Sequence, residues 1–273
     1  MSEMDLRLLL GMLDDPDEKS AVKVMGELLK YEDDLLPLLG ELQEAEDTLL
    51  RKRIQQLEAI VRLRKRRRHF LELLESDQLD IIEGLVELHL LWFDRDDPEM
   101  LMEMLESFMQ IAANNEIKSI GELGAFMARN HFTVPAEEEA SDPENFCIGP
   151  VLEDRLGSDI LLCTLALLAG LDVGLQLGLV RVGGHFAVVN AAGEMISPEN
   201  DWLVDRHNRL HGGDFWNDPR SVLKYASLML FLYAVRSDNF RYVHTIGHAL
   251  CGSDELDMLK DLPYPYNGQV ADR

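Results

Sequence analysis

Cysteine is scarce. Cys147, Cys163 and Cys251 are the only three in 273 residues, too few and too odd in number for a disulfide framework, so reduced thiols are expected. Positive charge is short as well: 26 Lys and Arg stand against 50 Asp and Glu, a formal net charge of −24. That balance repels polyanions, which opposes general nucleic-acid binding and favours solubility. No apolar run is long enough to span a bilayer; the longest nearly uncharged one lies near Ile160–Leu171, short of the roughly 20 residues required. MSEMDLRLLL lacks the basic region of a signal peptide, so the expected location is cytoplasmic and no membrane partner is expected. No glycine-rich loop opens a helix in a form that would cradle a phosphate, because Gly183-Gly184-His185-Phe186 leads a strand instead.

Metal motifs are missing too. His244 and His248 have the four-residue spacing of a zinc-binding helix, but Thr245 stands where a metalloprotease carries its glutamate base. Asp205, His207, His211 and Asp214 read more simply as a solvated loop than as a ligand set. Neither a metal nor a cofactor is expected.

What is present is helix, with an apolar fraction of 47% that supports a sizeable core. Leu6, Leu9, Leu10 and Leu13 line one side of a first short helix. A second runs from about Glu18 to Lys30, and a third opens at Asp33-Asp34 with Pro37 in its first turn. Leu50, Ile54, Leu57 and Val61 recur at spacings of four, three and four, predicting one long helix over 47–75. Helices over 78–93, capped by Asp77, and over 97–114 and 117–131 follow. The alternation with acidic turns resembles HEAT-type helical pairs.

The acidity is interrupted at 51–68, where nine Lys and Arg meet one Glu. Arg62, Arg64, Lys65, Arg66, Arg67 and Arg68 form its densest part. Two readings stand: a patch for an acidic partner, or a solvated face neutralised by nearby carboxylates, which the acidic remainder of the chain favours.

The segment Asn145–Pro198 organises the rest. Ser158 is a good helix N-cap, and Asp159 puts a negative charge at the first helical position. Ile160–Ala169 is nearly all apolar and should be buried on most sides, with Gly170 as its stop. Strands are predicted over Leu175–Arg181, Phe186–Asn190 and Glu194–Ser197, with Ala192-Gly193 as a turn. Asp218-Pro219 opens a further helix whose span Val222–Val235 should be buried, and Asp238 caps a last one.

A helix followed by paired strands, with a histidine leading one of them, resembles the SirB-type branch of the transglutaminase-like superfamily. The resemblance rests on Asp142-Pro143, Asn145, Val151-Leu152, Arg155-Leu156-Gly157, Ile160, Leu162, Gly170-Leu171 and Gly184-His185-Phe186. It implies a papain-like core in which a cysteine at the helix N-terminus is activated by the strand histidine. Only His185 stays in register: Asp159 stands at the cysteine position and Ser197 at that of the aspartate.

The expected fold is therefore α+β and mostly helical. Residues 1–135 form a helical region, 136–217 a small transglutaminase-like core, 218–262 a helix pair packed on it, and 263–273 a loose tail, with Ala136–Pro143 as linker or flap. Two functions are open. One is a non-catalytic module whose cleft, between Asp159, His185, Ser197 and Trp202, holds a peptide or small ligand, with a protein or peptide as partner. The other is a hydrolase or acyltransferase using Cys147 or Ser158 with His185 as base.

Overall fold

Short polar residues begin most of the helices. In the computed structural model, Asp17 accepts the Ser20 amide ahead of α2 (Glu18–Leu28), and Asp97 accepts that of Glu99 ahead of α6 (Pro98–Asn114). Ser119 accepts the Glu122 amide ahead of α7 (Ile120–Arg129), and Asp218 that of Arg220 ahead of α10 (Pro219–Arg236). Each side chain satisfies an amide that the helix leaves without a partner. The structure describes residues 3–43, 46–136, 139, 142–206 and 213–250. His207, His211, Cys251 and the tail expected over 263–273 lie outside them.

The described residues contain eleven α-helices and one four-stranded antiparallel sheet, a mostly helical α+β architecture. They fall into two compact units, within Met1–His69 and within Phe70–Gly252. The first unit holds α1 (Glu3–Gly11), α2, α3 (Glu32–Leu42) and α4 (Thr48–Glu75), whose residues from Phe70 onward belong to the second. Leu6, Leu10, Leu13, Leu28, Leu35, Leu39, Ile54, Leu57 and Val61 form its core, which is the leucine side of α1 and the stripe read along α4. Pro37 lies inside α3 rather than in its first turn, because the helix already begins at Glu32.

The second unit continues with α5 (Ile81–Trp92), α6, α7, α8 (Ile148–Asp154) and α9 (Asp159–Asp172). Strands β1 (Leu177–Val182), β2 (His185–Asn190), β3 (Met195–Ile196) and β4 (Asp214–Phe215) follow, and then α10 and α11 (Phe240–Leu250). Asp80, not Asp77, caps α5, its carboxylate accepting the Ile82 amide at 2.8 Å. The sheet order is β3-β2-β1-β4, and the two-residue edge strand β4 has too little apolar alternation to read from sequence. Gly183 and Gly184, at φ +62° and +95°, close the β1–β2 hairpin, a turn that needs left-handed backbone at both positions.

Helix α9 is the central element. Ile160, Leu161, Leu162, Leu165, Ala166 and Ala169 are all buried, and the helix packs on β1 and β2. Gly170 does not stop it. The residue is there for contact: a Cβ would come within 2.3 Å of the Leu177 side chain and 3.0 Å of Leu123. Helix α10 corrects another expectation. Val222, Leu223, Ala226, Leu230 and Ala234 are buried, but Leu228, Leu232 and Val235 on the same helix are exposed. Beside it, α11 places Tyr242 in a stack on Trp92 with ring centroids 3.9 Å apart. No helix among the described residues is long and apolar enough to cross a membrane.

Candidate functional site

Three backbone links fix the N-terminus of α9. Arg155, in the left-handed region at φ 63°, ends α8, and its carbonyl accepts the Thr133 amide at 2.9 Å. The Gly157 amide donates to Thr133 O at 3.2 Å and the Ser158 amide to Asn145 O at 2.8 Å. Asp159 therefore starts the helix in a set place, where the positive end of the helix dipole favours its carboxylate. One oxygen, Oδ1, accepts the Ile160 amide at 2.7 Å, and Oδ2 accepts the amide of Phe186 on β2 at 2.9 Å.

His185, the first residue of β2, is 60% exposed. Its Nδ1 lies 3.8 Å from Asp159 Oδ2 and 3.4 Å from Glu199 Oε1. Glu199 belongs to a single 3-10 turn, Pro198–Asn200, that follows β3. Asp201 and Trp202 then reverse the chain through left-handed backbone, and the Trp202 amide closes back on Ser197 O at 2.9 Å. The Trp202 indole, nearly fully buried, donates Nε1–H to Phe132 O at 2.6 Å. Gly124 makes room for this turn, since a Cβ there would stand 2.3 Å from Trp202 O.

Beside His185 opens a cleft of about 320 Å³ lined by Val182, His185, Phe186, Ala187, Met195, Ile196, Ser197, Asn200, Leu203 and Asp205. Of the four residues expected around it, His185 and Ser197 line it. Asp159 touches its edge through His185. Trp202 does not line it: the ring is directed to Phe132, because a buried indole N–H needs an acceptor. Glu199 was missed. The signal was Pro198, which starts a helical turn and so carries the next residue, a carboxylate, toward His185.

The remaining candidates are placed elsewhere. Cys147 is fully buried, and burial pushes its thiol well above the ordinary range, with Glu144 and Asp96 adding to the effect. Cys163 is equally buried and raised for the same reason, with Asp159 and Glu199 adding; its Sγ donates to Phe186 O at 3.3 Å. Neither thiol is an accessible nucleophile. Ser158 occupies the N-cap position but makes no side-chain cap bond; its hydroxyl is buried without a hydrogen-bond partner. Asp159 Oδ1 takes the nearest helix amide instead.

The cluster of Asp159, His185 and Glu199 is chemically a carboxylate, an imidazole and a second carboxylate. Their ligand atoms lie within 4.8 Å of one another, a spacing a divalent cation can bridge. A cation there would share Asp159 oxygens already bound to two amides. The arrangement without metal is a His–Glu pair able to hold or pass a proton.

In the first unit, the basic run is threaded with carboxylates. Arg62 pairs with Glu58 at 2.9 Å, and Arg64 and Arg68 share Glu32 at 2.7 and 3.1 Å. Lys65, Arg66 and Arg67 are likewise engaged rather than free. Arg53, at the start of the run, is buried and donates to the carbonyls of Leu13 and Asp15.

The helix N-terminus set against a hairpin whose second strand begins with histidine lies in the segment that is similar to a known family. Residues 98–215, from α6 through β4, match the family model described as the transglutaminase-like superfamily. No curated protein and no solved structure matches the chain.

Proposed function

We propose that the chain is a non-catalytic, SirB-type protein, a binding or regulatory module whose cleft beside His185 takes a short peptide or small ligand. The observation that carries this reading is Asp159: at the helix N-terminus where a transglutaminase-like enzyme needs its nucleophile stands a carboxylate bound to the Phe186 amide. A carboxylate so held lacks the polarisable sulfur of a thiolate, and the two amide hydrogen bonds it accepts weaken it further as a nucleophile. The cleft suits an amphipathic ligand. Ala187, Met195 and Ile196 give an apolar floor, while His185 and Ser197 offer hydrogen bonds.

A second reading, a hydrolase or acyltransferase with a displaced nucleophile, draws on the 3.4 Å approach of Glu199 to His185, since an oriented histidine is what a general base requires. Its candidates are weaker, because Cys147 and Ser158 are both buried. One experiment separates the two readings. Wild type and His185→Ala are treated with iodoacetamide from pH 5 to 9 and with a fluorophosphonate, and adducts are located by peptide mass. Cysteines that label slowly, with no dependence on His185, and an unmodified Ser158 support the binding module. Rapid labelling of one cysteine near pH 6, or a Ser158 adduct, lost in His185→Ala, means an enzyme.

A further inference from the structure

Helix α6 carries two apolar stripes where a surface helix needs one. Leu101, Leu105, Phe108 and Ala112 form the stripe buried in the core. Met100, Met104 and Ile111, at i, i+4 and i+11, form another that faces outward, with Met100 59% and Ile111 42% exposed. This second stripe is not scattered surface. It is the wall of two concavities, of about 490 and 410 Å³, that share Met100, Met104 and Glu153 and so run on from one to the other between α6 and α8.

The rim is predominantly negative. Asp96, Asp97, Glu103, Glu144, Glu153 and Asp154 line the two concavities, and Arg155 is the one cation among the described residues that do so. A methionine-walled groove with a carboxylate rim has a definite complement. Thioethers are flexible and polarisable, and they adapt to irregular aliphatic and aromatic surfaces. The carboxylates repel nucleic acid and acidic peptides and attract Lys and Arg placed either side of an apolar stripe. From Met100 to Ile111 the groove is roughly 16 Å long, about three helical turns. A groove between two helices takes a helix laid into it, with apolar anchors at i, i+3, i+4 and i+7.

We propose that the α6–α8 groove docks a basic amphipathic helix of a partner protein. This is independent of the cleft at His185, since no residue lines both.

The test uses the whole chain and a fluorescein-labelled synthetic helix of leucine and lysine, leucines at helical spacing, read by anisotropy. Two comparison peptides accompany it: a scrambled sequence of the same composition, and one with glutamate for every lysine. The expected result is saturable binding of the first, weakened tenfold or more on scrambling and abolished by glutamate. The double variant Met100→Ser/Met104→Ser and the double variant Glu103→Lys/Glu153→Lys should each weaken it tenfold or more. Glu116→Lys/Asp172→Lys, the same charge change at exposed residues that line neither concavity, should leave it within twofold. Circular dichroism and thermal melting establish that every variant is folded. Three results would overturn the proposal: equal binding of the scrambled peptide, indifference to the groove variants, or self-association of the chain that Met100→Ser/Met104→Ser abolishes, since a second copy would then be the occupant.

Discussion

The Asp159 carboxylate accepts the Phe186 amide at 2.9 Å, so the first residue of α9 joins that helix to β2. Asp159 is one-fifth exposed, so the bond is largely sheltered from water. Asp159→Ala removes the acceptor and leaves the partly buried Phe186 amide unpaired, with an expected loss of about 1–3 kcal/mol. Asp159→Asn keeps one carbonyl oxygen and should lose less. Urea unfolding of the three proteins measures both, and equal stability of Asp159→Ala and wild type would remove the structural role given to this bond.

The same position offers a test of the surrounding geometry. In Asp159→Cys the new thiol would stand at the N-terminus of α9, with His185 beside it. Helix dipole and imidazolium both favour the thiolate, so its labelling by iodoacetamide should outpace an ordinary thiol at pH 6–7 and slow when His185→Ala is added. Cys147 and Cys163 should stay unlabelled in the same sample. Ordinary reactivity would mean that the site has lost the polarity a transglutaminase-like centre depends on.

Stability should fall at alkaline pH. Burial, first, and then neighbouring carboxylates raise the Cys147 and Cys163 thiols. The folded chain thus keeps two protons that the unfolded chain releases near pH 8.5. A raised folded-state value gives a contribution fully present below about pH 8.5 and lost as pH climbs above it, by up to about 1.4 kcal/mol per pH unit for each thiol. Tyr242, raised by burial, adds to the loss above about pH 10. Urea midpoints from pH 7 to 10 under reducing conditions should decline, and less steeply in Cys163→Ala. A flat profile would show that these thiols ionise as readily folded as unfolded.

Much of the fold was legible because its signals are local. The stripe Leu50, Ile54, Leu57, Val61 marks α4, the caps Asp97 and Asp218 mark α6 and α10, and Gly183-Gly184 marks the hairpin. The misreadings came from packing. Asp77 and Asp80 are equally good caps, and only the placement of Ile82 selects the second. Val222–Val235 is apolar throughout, yet a helix lying on one surface buries one side, which leaves Leu228, Leu232 and Val235 outside. At the site, His185 was visible from the glycines before it. Pro198 marks the turn that carries Glu199, but its approach to His185 was not legible, because the shape of that turn depends on the bond from Trp202 to Phe132, 70 residues apart in the chain.

That turn is the last test. Trp202 holds left-handed backbone, buries its ring and donates to Phe132 O at 2.6 Å, while Gly124 admits its carbonyl. Trp202→Phe keeps an aromatic but leaves Phe132 O without its donor, and should cost about 1–3 kcal/mol. In Gly124→Ala the added methyl meets a backbone oxygen that no side-chain rotation can move, so the turn itself must shift. Because Glu199 rides on that turn, Gly124→Ala should also move it from its 3.4 Å approach to His185, read at fixed pH as changed NMR chemical shifts of the His185 ring protons, whereas Trp202→Phe with the turn intact should change stability alone. Unaltered His185 ring-proton shifts in Gly124→Ala would mean that Glu199 reaches the histidine without support from Trp202.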